Sequence, residues 1–124
     1  MSAVYVFIGG GIGCLVRYLF SLVVTRMQFF SFPWATLAAN VISCAVFGLA
    51  IFILGEKGAL SQGSFVRPLV LTGFCGGLST FSTFSFETFE LLRRGDFTFA
   101  GVNVLINLVL CMVIFVMVAR TSAE

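Results

Sequence analysis

The sequence predicts an all-α fold: four transmembrane helices, with little of the chain left outside the bilayer. Three observations lead there. Only 10% of the 124 residues are charged and 60% are hydrophobic, whereas a soluble domain carries about 25% Asp, Glu, Lys and Arg. The mean hydropathy is +1.13, so the chain cannot cover itself with a charged surface and lipid must be its solvent. The apolar residues also fall into four stretches, each near the roughly 20 residues that a spanning helix needs, with most charges between them.

The first span is expected over 3–25 and ends at Arg26. A short loop leads to Pro33, which suits a helix start because its missing N–H is not needed there. The second span, 33–54, gives way to the one long polar stretch, Gly55 to Arg67, with Glu56, Lys57, Ser61, Gln62 and Ser64. Pro68 opens the third span, 68–92. The tight turn Arg93-Arg94-Gly95-Asp96 then leads to the fourth, 97–118. The first apolar stretch lacks a basic lead-in and runs too long for a cleavable signal peptide. Residues 1–124 are thus expected to form a single four-helix domain.

Composition excludes several classes of function. The net charge of +2 forms no basic cluster, so nucleic acid is not an expected partner. The chain contains no histidine, which removes the commonest general base and metal ligand. An enzyme is not expected, because no nucleophile–base pair can be assembled without it. Cys14, Cys44, Cys75 and Cys111 fall one in each span with no CxxC pair, so they read as small, soft residues of helix interfaces rather than a metal or redox motif.

Orientation is undecided by charge. Lys57, Arg67 and Arg120 lie on one side and Arg26, Arg93 and Arg94 on the other, whereas an excess of Lys and Arg marks the cytoplasmic face. The tie suggests insertion in both directions and pairing with an inverted copy; the alternative is one orientation set by another feature. Gly9 with Gly13, and Gly73 with Gly77, form small-xxx-small pairs of the kind that let helices approach closely. Together with the charge tie they favour a homodimer.

Ionisable and strongly polar groups inside a membrane are functional suspects by default. Arg17 lies a turn past the middle of the first span, where a charge costs about 2.5–3.5 kcal/mol on insertion scales. It either snorkels or pairs structurally, or it attracts an anion at a vestibule. Asn40 is the sole strongly polar residue of the second span. It either bonds across a helix interface or faces a wet path, and the residue alone leaves both open.

The third span carries Thr72-Gly-Phe-Cys-Gly-Gly-Leu-Ser-Thr-Phe-Ser-Thr-Phe-Ser-Phe-Glu87. Its glycines and hydroxyls make a poor continuous helix, and a break is expected at Gly76-Gly77 followed by Leu78-Ser79. Unwound backbone at that depth must be buried in protein or line a cavity, and its carbonyls can hold a cation. Beyond the break, Thr80, Thr83, Glu87 and Glu90 share one helical face, and Phe81 and Phe84 lie on an adjoining one. An anion in a dry pore needs donors or positive dipole edges. Hydroxyls and an amide supply the first, and the positive rim of a Phe ring the second. Such a set, without a ring of lysines, suits a small, hard, strongly hydrated anion. With 16 Phe in the chain, most of them serve packing or face lipid.

The stretch Gly73-Phe-Cys-Gly-Gly-Leu-Ser-Thr-Phe-Ser-Thr-Phe-Ser85 resembles the signature of the Fluc (CrcB) fluoride channels. Gly9-Gly-Gly-Ile-Gly13 with Arg17-Tyr18, and Thr36-Leu-Ala-Ala-Asn40, agree in order and spacing, so the likeness covers all four spans. The resemblance implies a dual-topology homodimer in the bacterial inner membrane with two antiparallel pores that conduct fluoride passively. It implies that the third helix is broken at its middle, where carbonyls of Gly76 and Ser79 join those of the inverted copy around a structural Na⁺. Phe81 and Phe84 would line the pores with Asn40; Ser82 and Thr83 match a hydroxyl track, with Glu87 at its far end. Arg17 corresponds to a vestibule arginine. Where relatives carry Ser or Thr on the fourth helix, this chain has Cys111 and Phe115, with Asn103 and Asn107 as the polar residues. Export of cytoplasmic fluoride to relieve its toxicity is the implied role. The rival is a dual-topology exporter of the small multidrug-resistance type. Such exporters use a carboxylate in the first helix, where this chain has Arg17 and no acid.

Overall fold

The computed structural model describes residues 1–27, 32–55, 58, 60–61 and 63–122. The loop expectations at Glu56, Lys57 and Gln62 lie outside the described residues, as do positions 28–31.

The described chain is all-helical. Helix α1 runs Ser2–Met27. Helix α2 starts at Trp34, just after Pro33, and its last turn, Ala50–Leu54, widens to π-helical geometry. Helix α3 covers 67–78: wide π-helical turns over Arg67–Cys75, with Pro68 in the first turn, tighten to an α-turn over Gly76–Leu78. Helix α4 is Phe81–Arg93 and α5 is Phe97–Ser122. Ser2–Met27, Trp34–Leu54, Arg67–Arg93 and Phe97–Thr121 are each long and apolar enough to cross a membrane. At 1.5 Å per residue a 26-residue helix is about 39 Å long, enough for the roughly 30 Å hydrocarbon core of a bilayer.

Apolar residues face outward along the outer helices. Phe7, Leu15 and Leu19 on α1 and Leu105, Leu108 and Met112 on α5 are all exposed. A water-facing protein does not carry apolar surface on that scale; lipid or protein must cover it. Inside, Leu37, Ala39, Leu71, Leu78, Leu91 and Ala100 form the buried core.

The glycines of the two small-xxx-small pairs meet one another inside a single chain. A Cβ on Gly9 would fall on the carbonyl oxygen of Leu69, one on Gly13 on that of Phe74, and one on Gly77 on that of Gly10. A Cβ on Gly73 would stand 2.9 Å from the Val6 carbonyl oxygen. Helices α1 and α3 therefore touch backbone to backbone. The contact is intrachain, so the glycine pairs, expected to favour a homodimer, supply no argument for a second copy.

Between α3 and α4 two residues are extended: Ser79 at φ −73°, ψ 152° and Thr80 at φ −150°, ψ 114°. Of the stretch Gly76-Gly77 followed by Leu78-Ser79, where interruption was expected, Gly76–Leu78 are helical and Ser79 is extended. Side-chain competition for the backbone explains the position. The Thr80 N–H donates to Asn40 Oδ1 at 3.0 Å instead of to a carbonyl of its own helix. The Ser43 and Ser79 hydroxyls both donate to the Cys75 carbonyl at 2.9 Å. Thr80 then caps α4, its Oγ1 accepting from the Thr83 N–H at 3.2 Å, a favoured role for Thr at that position. At the other end, Gly95 closes the α4–α5 turn with φ +82°, and its N–H and that of Asp96 donate to the carbonyls of Leu92 and Leu91, satisfying groups a helix end leaves open.

Candidate functional site

Asn40 is the hub of the site. It sits one turn after Thr36 on the inner face of α2, and both faces of its amide are engaged. Its Oδ1 accepts from the Thr80 backbone, and its Nδ2 donates to Asn107 Oδ1 at 3.0 Å. Asn107 Nδ2 donates in turn to the carbonyl and side-chain oxygens of Asn103, at 2.9 and 3.0 Å. Asn103 Nδ2 donates to Thr88 Oγ1 at 2.9 Å, and Thr88 Oγ1 to the Phe84 carbonyl at 2.8 Å. This relay ties α2, α4 and α5 together.

Asn103 and Asn107 are buried, so the relay is held by necessity. A polar group buried without a partner loses about 1–3 kcal/mol, and each amide here has only its neighbours to turn to. An asparagine amide carries two N–H donors, and among the described residues Asn107 is the one acceptor that Asn40 Nδ2 meets. The second N–H is left for the space that Asn40 lines.

That space is a groove of about 280 Å³ between α2, α4 and α5, lined by Asn40, Thr80, Phe81, Phe84, Asn107 and Cys111 among others. The Phe81 and Phe84 rings stand 5.8 Å apart, centre to centre, tilted by 43°. Phe84 is half-buried, while Phe81 projects from the helix with 81% of its surface exposed. A donor and two aromatic rims thus share one groove, with no charged side chain among its lining residues.

The remaining candidates are distributed around it. Ser82 and Thr83 gather at the Thr80 cap. Thr80 Oγ1 donates to Thr83 Oγ1 at 2.9 Å, and Ser82 Oγ lies 3.4 Å from Thr80 Oγ1. Glu87 lies further along α4 beside α2, where Thr36 Oγ1 donates to its Oε1 at 2.9 Å. Its Oε2 is buried and has no partner among the described residues. Glu87 lines a separate cavity of about 310 Å³ with Phe32, Glu90 and Arg94. Arg17 is outside the groove: its guanidinium meets the Cys14 sulfur at 3.8 Å, and among the described residues the ion pairs are those of Glu90 with Arg93 and Arg94.

The carbonyls of Gly76 and Ser79 share one property. The donor that α-helical geometry would offer each lies four residues on. Thr80 N–H is engaged by Asn40, and Thr83 N–H by Thr80 Oγ1. Among the described residues no cluster of acidic, Cys or His side chains gathers for a metal, so backbone oxygens are the ligands on offer here.

The structure therefore brings Asn40, Phe81 and Phe84 to one groove, joins Ser82 and Thr83 to the cap beside it, and separates Glu87 and Arg17 from it. The sequence singles out Asn103 and Asn107 only as the polar residues of the fourth span, and gives Thr36 and Thr88 no role. The available signal was the four-residue spacing of two amides in an otherwise apolar span, which puts both on one helix face.

Residues 4–119 match the family described as CrcB-like protein, Camphor Resistance (CrcB). A Geobacter sp. (strain M21) protein named fluoride-specific ion channel FluC is 43% identical over 120 residues, covering 94% of this chain and 95% of that protein. Proteins of the same name from Opitutus terrae and Shewanella loihica are 39% and 40% identical. They cover 88% and 90% of this chain, and 83% and 87% of their own lengths.

Proposed function

The chain belongs to the CrcB family of multi-pass bacterial membrane proteins, and we propose that it is a passive, fluoride-selective channel that releases cytoplasmic fluoride. The observation that carries this reading is the Asn40 amide. It is clamped by Thr80 and Asn107 with an N–H to spare, beside the rims of Phe81 and Phe84. A fluoride ion shed of water gains a donor there and positive ring edges. Neutral groups bind it firmly enough for entry and weakly enough for exit, as conduction demands. The hydroxyls of Thr80, Ser82 and Thr83 extend the polar track beyond the groove, toward the separate cavity that Glu87 lines and where Thr36 donates to it.

The channel is a dual-topology homodimer in this proposal. Support comes from the exposed Phe81, which leaves the groove without a wall on one side, and from the apolar surface of α1 and α5. The third helix is broken near mid-membrane: twelve helical residues precede the extended pair and thirteen follow. A structural Na⁺ fits the Gly76 and Ser79 carbonyls, whose helical donors are diverted, together with those of the inverted copy; such unwound carbonyls are sodium ligands in other membrane proteins. Its contribution would be to hold the two copies together.

Passive export needs no fuel. A negative interior contributes about 2.3 kcal/mol per charge per 100 mV, which drives the anion outward. The test is fluoride efflux from liposomes containing the purified protein, with no proton gradient. Rapid efflux is the expected result. A silent protein, or one that moves cations only against a proton gradient, contradicts it and favours an exporter.

A further inference from the structure

Cys44 and Cys111 are 67 positions apart in the chain and side by side in the fold. Each lies one helical turn beyond a partner in the amide relay: Cys44 follows Asn40 on α2, and Cys111 follows Asn107 on α5. Residues four apart share a helix face, so the Asn40–Asn107 hydrogen bond sets the register of the next pair. One turn further on, a Cβ on Gly48 would meet the Phe115 ring at 3.4 Å, so the same register continues beyond the thiols. Cys44 and Cys111 both line the groove that holds Asn40, Phe81 and Phe84, and both are half-buried.

We propose that the Cys44–Cys111 pair is a binding site for a soft metal cation that prefers two ligands, and that the bound metal closes the groove. Thiolate sulfur selects soft cations. Among the described residues no group of three or more Cys, Asp, Glu or His side chains forms, so the site offers two sulfurs and suits a two-coordinate dication such as Hg(II). With Hg(II) the chemistry balances without an oxidant. Two S–H bonds break, two S–Hg bonds form, and two protons leave to water. The product is neutral, and a low-dielectric site accepts it where it would reject a charged complex.

The consequence for transport rests on the reading of this groove as the ion path. A metal between α2 and α5 sits one turn from the Asn40 amide, in space an anion must cross. Soft-metal sensitivity is then a property of this chain's own thiols.

The experiment uses the full chain in liposomes, with Cys14→Ala and Cys75→Ala so that the pair supplies the only thiols. Mercuric ion is the probe. Thiolate–mercury absorption and fluoride efflux are read from the same preparation. Absorption is expected to saturate at one Hg(II) per chain, and efflux to fall to the level of empty liposomes and return with a dithiol chelator. Adding Cys111→Ser, or Cys44→Ala in its place, is expected to remove both effects. Absorption that never saturates at that ratio, or that survives both replacements, overturns the metal site. Saturation that leaves efflux untouched overturns the closure of the groove. Saturation in a protein that passes no fluoride before mercury upholds the metal site and refutes the transport reading alone.

Discussion

The two halves of the third span are close in length and opposite in design. Helix α3 presses backbone against backbone on α1, through Gly73 and Gly77 set against Gly9, Gly10 and Gly13. The α4 half makes its links through side chains: Asn40 accepting from the Thr80 N–H at the cap, Thr36 donating to Glu87, and Asn103 donating to Thr88. Where glycines remove every side chain, no donor remains to meet an ion, and the contact serves only to hold the helices. Where side chains form the links, some polar atoms are left facing open space, and chemistry becomes available. One half anchors the span and the other lines the groove.

Breaking the anchor has the largest expected effect. Gly13→Ala drives a methyl group into the Phe74 carbonyl, with the Leu78 nitrogen at 2.8 Å. Backbone cannot step aside as a flexible side chain does, so the cost lies at or above the upper end of the about 1–3 kcal/mol seen for overpacked cores. The yield of monodisperse protein in detergent, and its thermal midpoint, should both collapse. Altering the working half should do the reverse. Phe81→Ile or Phe84→Ile keeps an apolar side chain but removes the ring edge; fluoride efflux should fall strongly while yield and thermal midpoint stay near those of the parent. Normal efflux in both variants would remove the rings from the pathway. The smallest expected change separates support from contact. Asn107→Leu orphans the Asn40 Nδ2 and costs about 1–3 kcal/mol of stability, measurable as a lower thermal midpoint, with a partial loss of efflux because Asn40 is no longer held.

The spans were legible in the sequence because four apolar stretches of bilayer length, bounded by prolines and charged turns, admit few other folds. The groove was legible only in part. Phe81 and Phe84 lie three residues apart on one helix, so local periodicity pairs them. Asn40 joins them through contacts 40 and more residues distant, which no local pattern reveals. The glycine pairs show the limit plainly. Their spacing announces a close helix contact but not the partner, and that partner is α3 of the same chain. The interruption expected at Gly76-Gly77 followed by Leu78-Ser79 was placed on the weakest helix formers. The extended residues are Ser79, the last of that stretch, and Thr80 beyond it, because Asn40 on a different helix captures the Thr80 N–H. A tertiary hydrogen bond outweighed local propensity.

The central claim is that the Asn40 amide is the donor a fluoride ion meets in the groove. Asn40→Asp tests it most directly. The carboxylate retains an oxygen for the Thr80 N–H, so the local backbone should persist, but both side-chain donors are gone and a negative charge can stand in their place. Fluoride efflux from liposomes carrying this variant is expected to drop to the background of empty vesicles. Efflux at the parent rate would reduce Asn40 to a packing residue and contradict the claim.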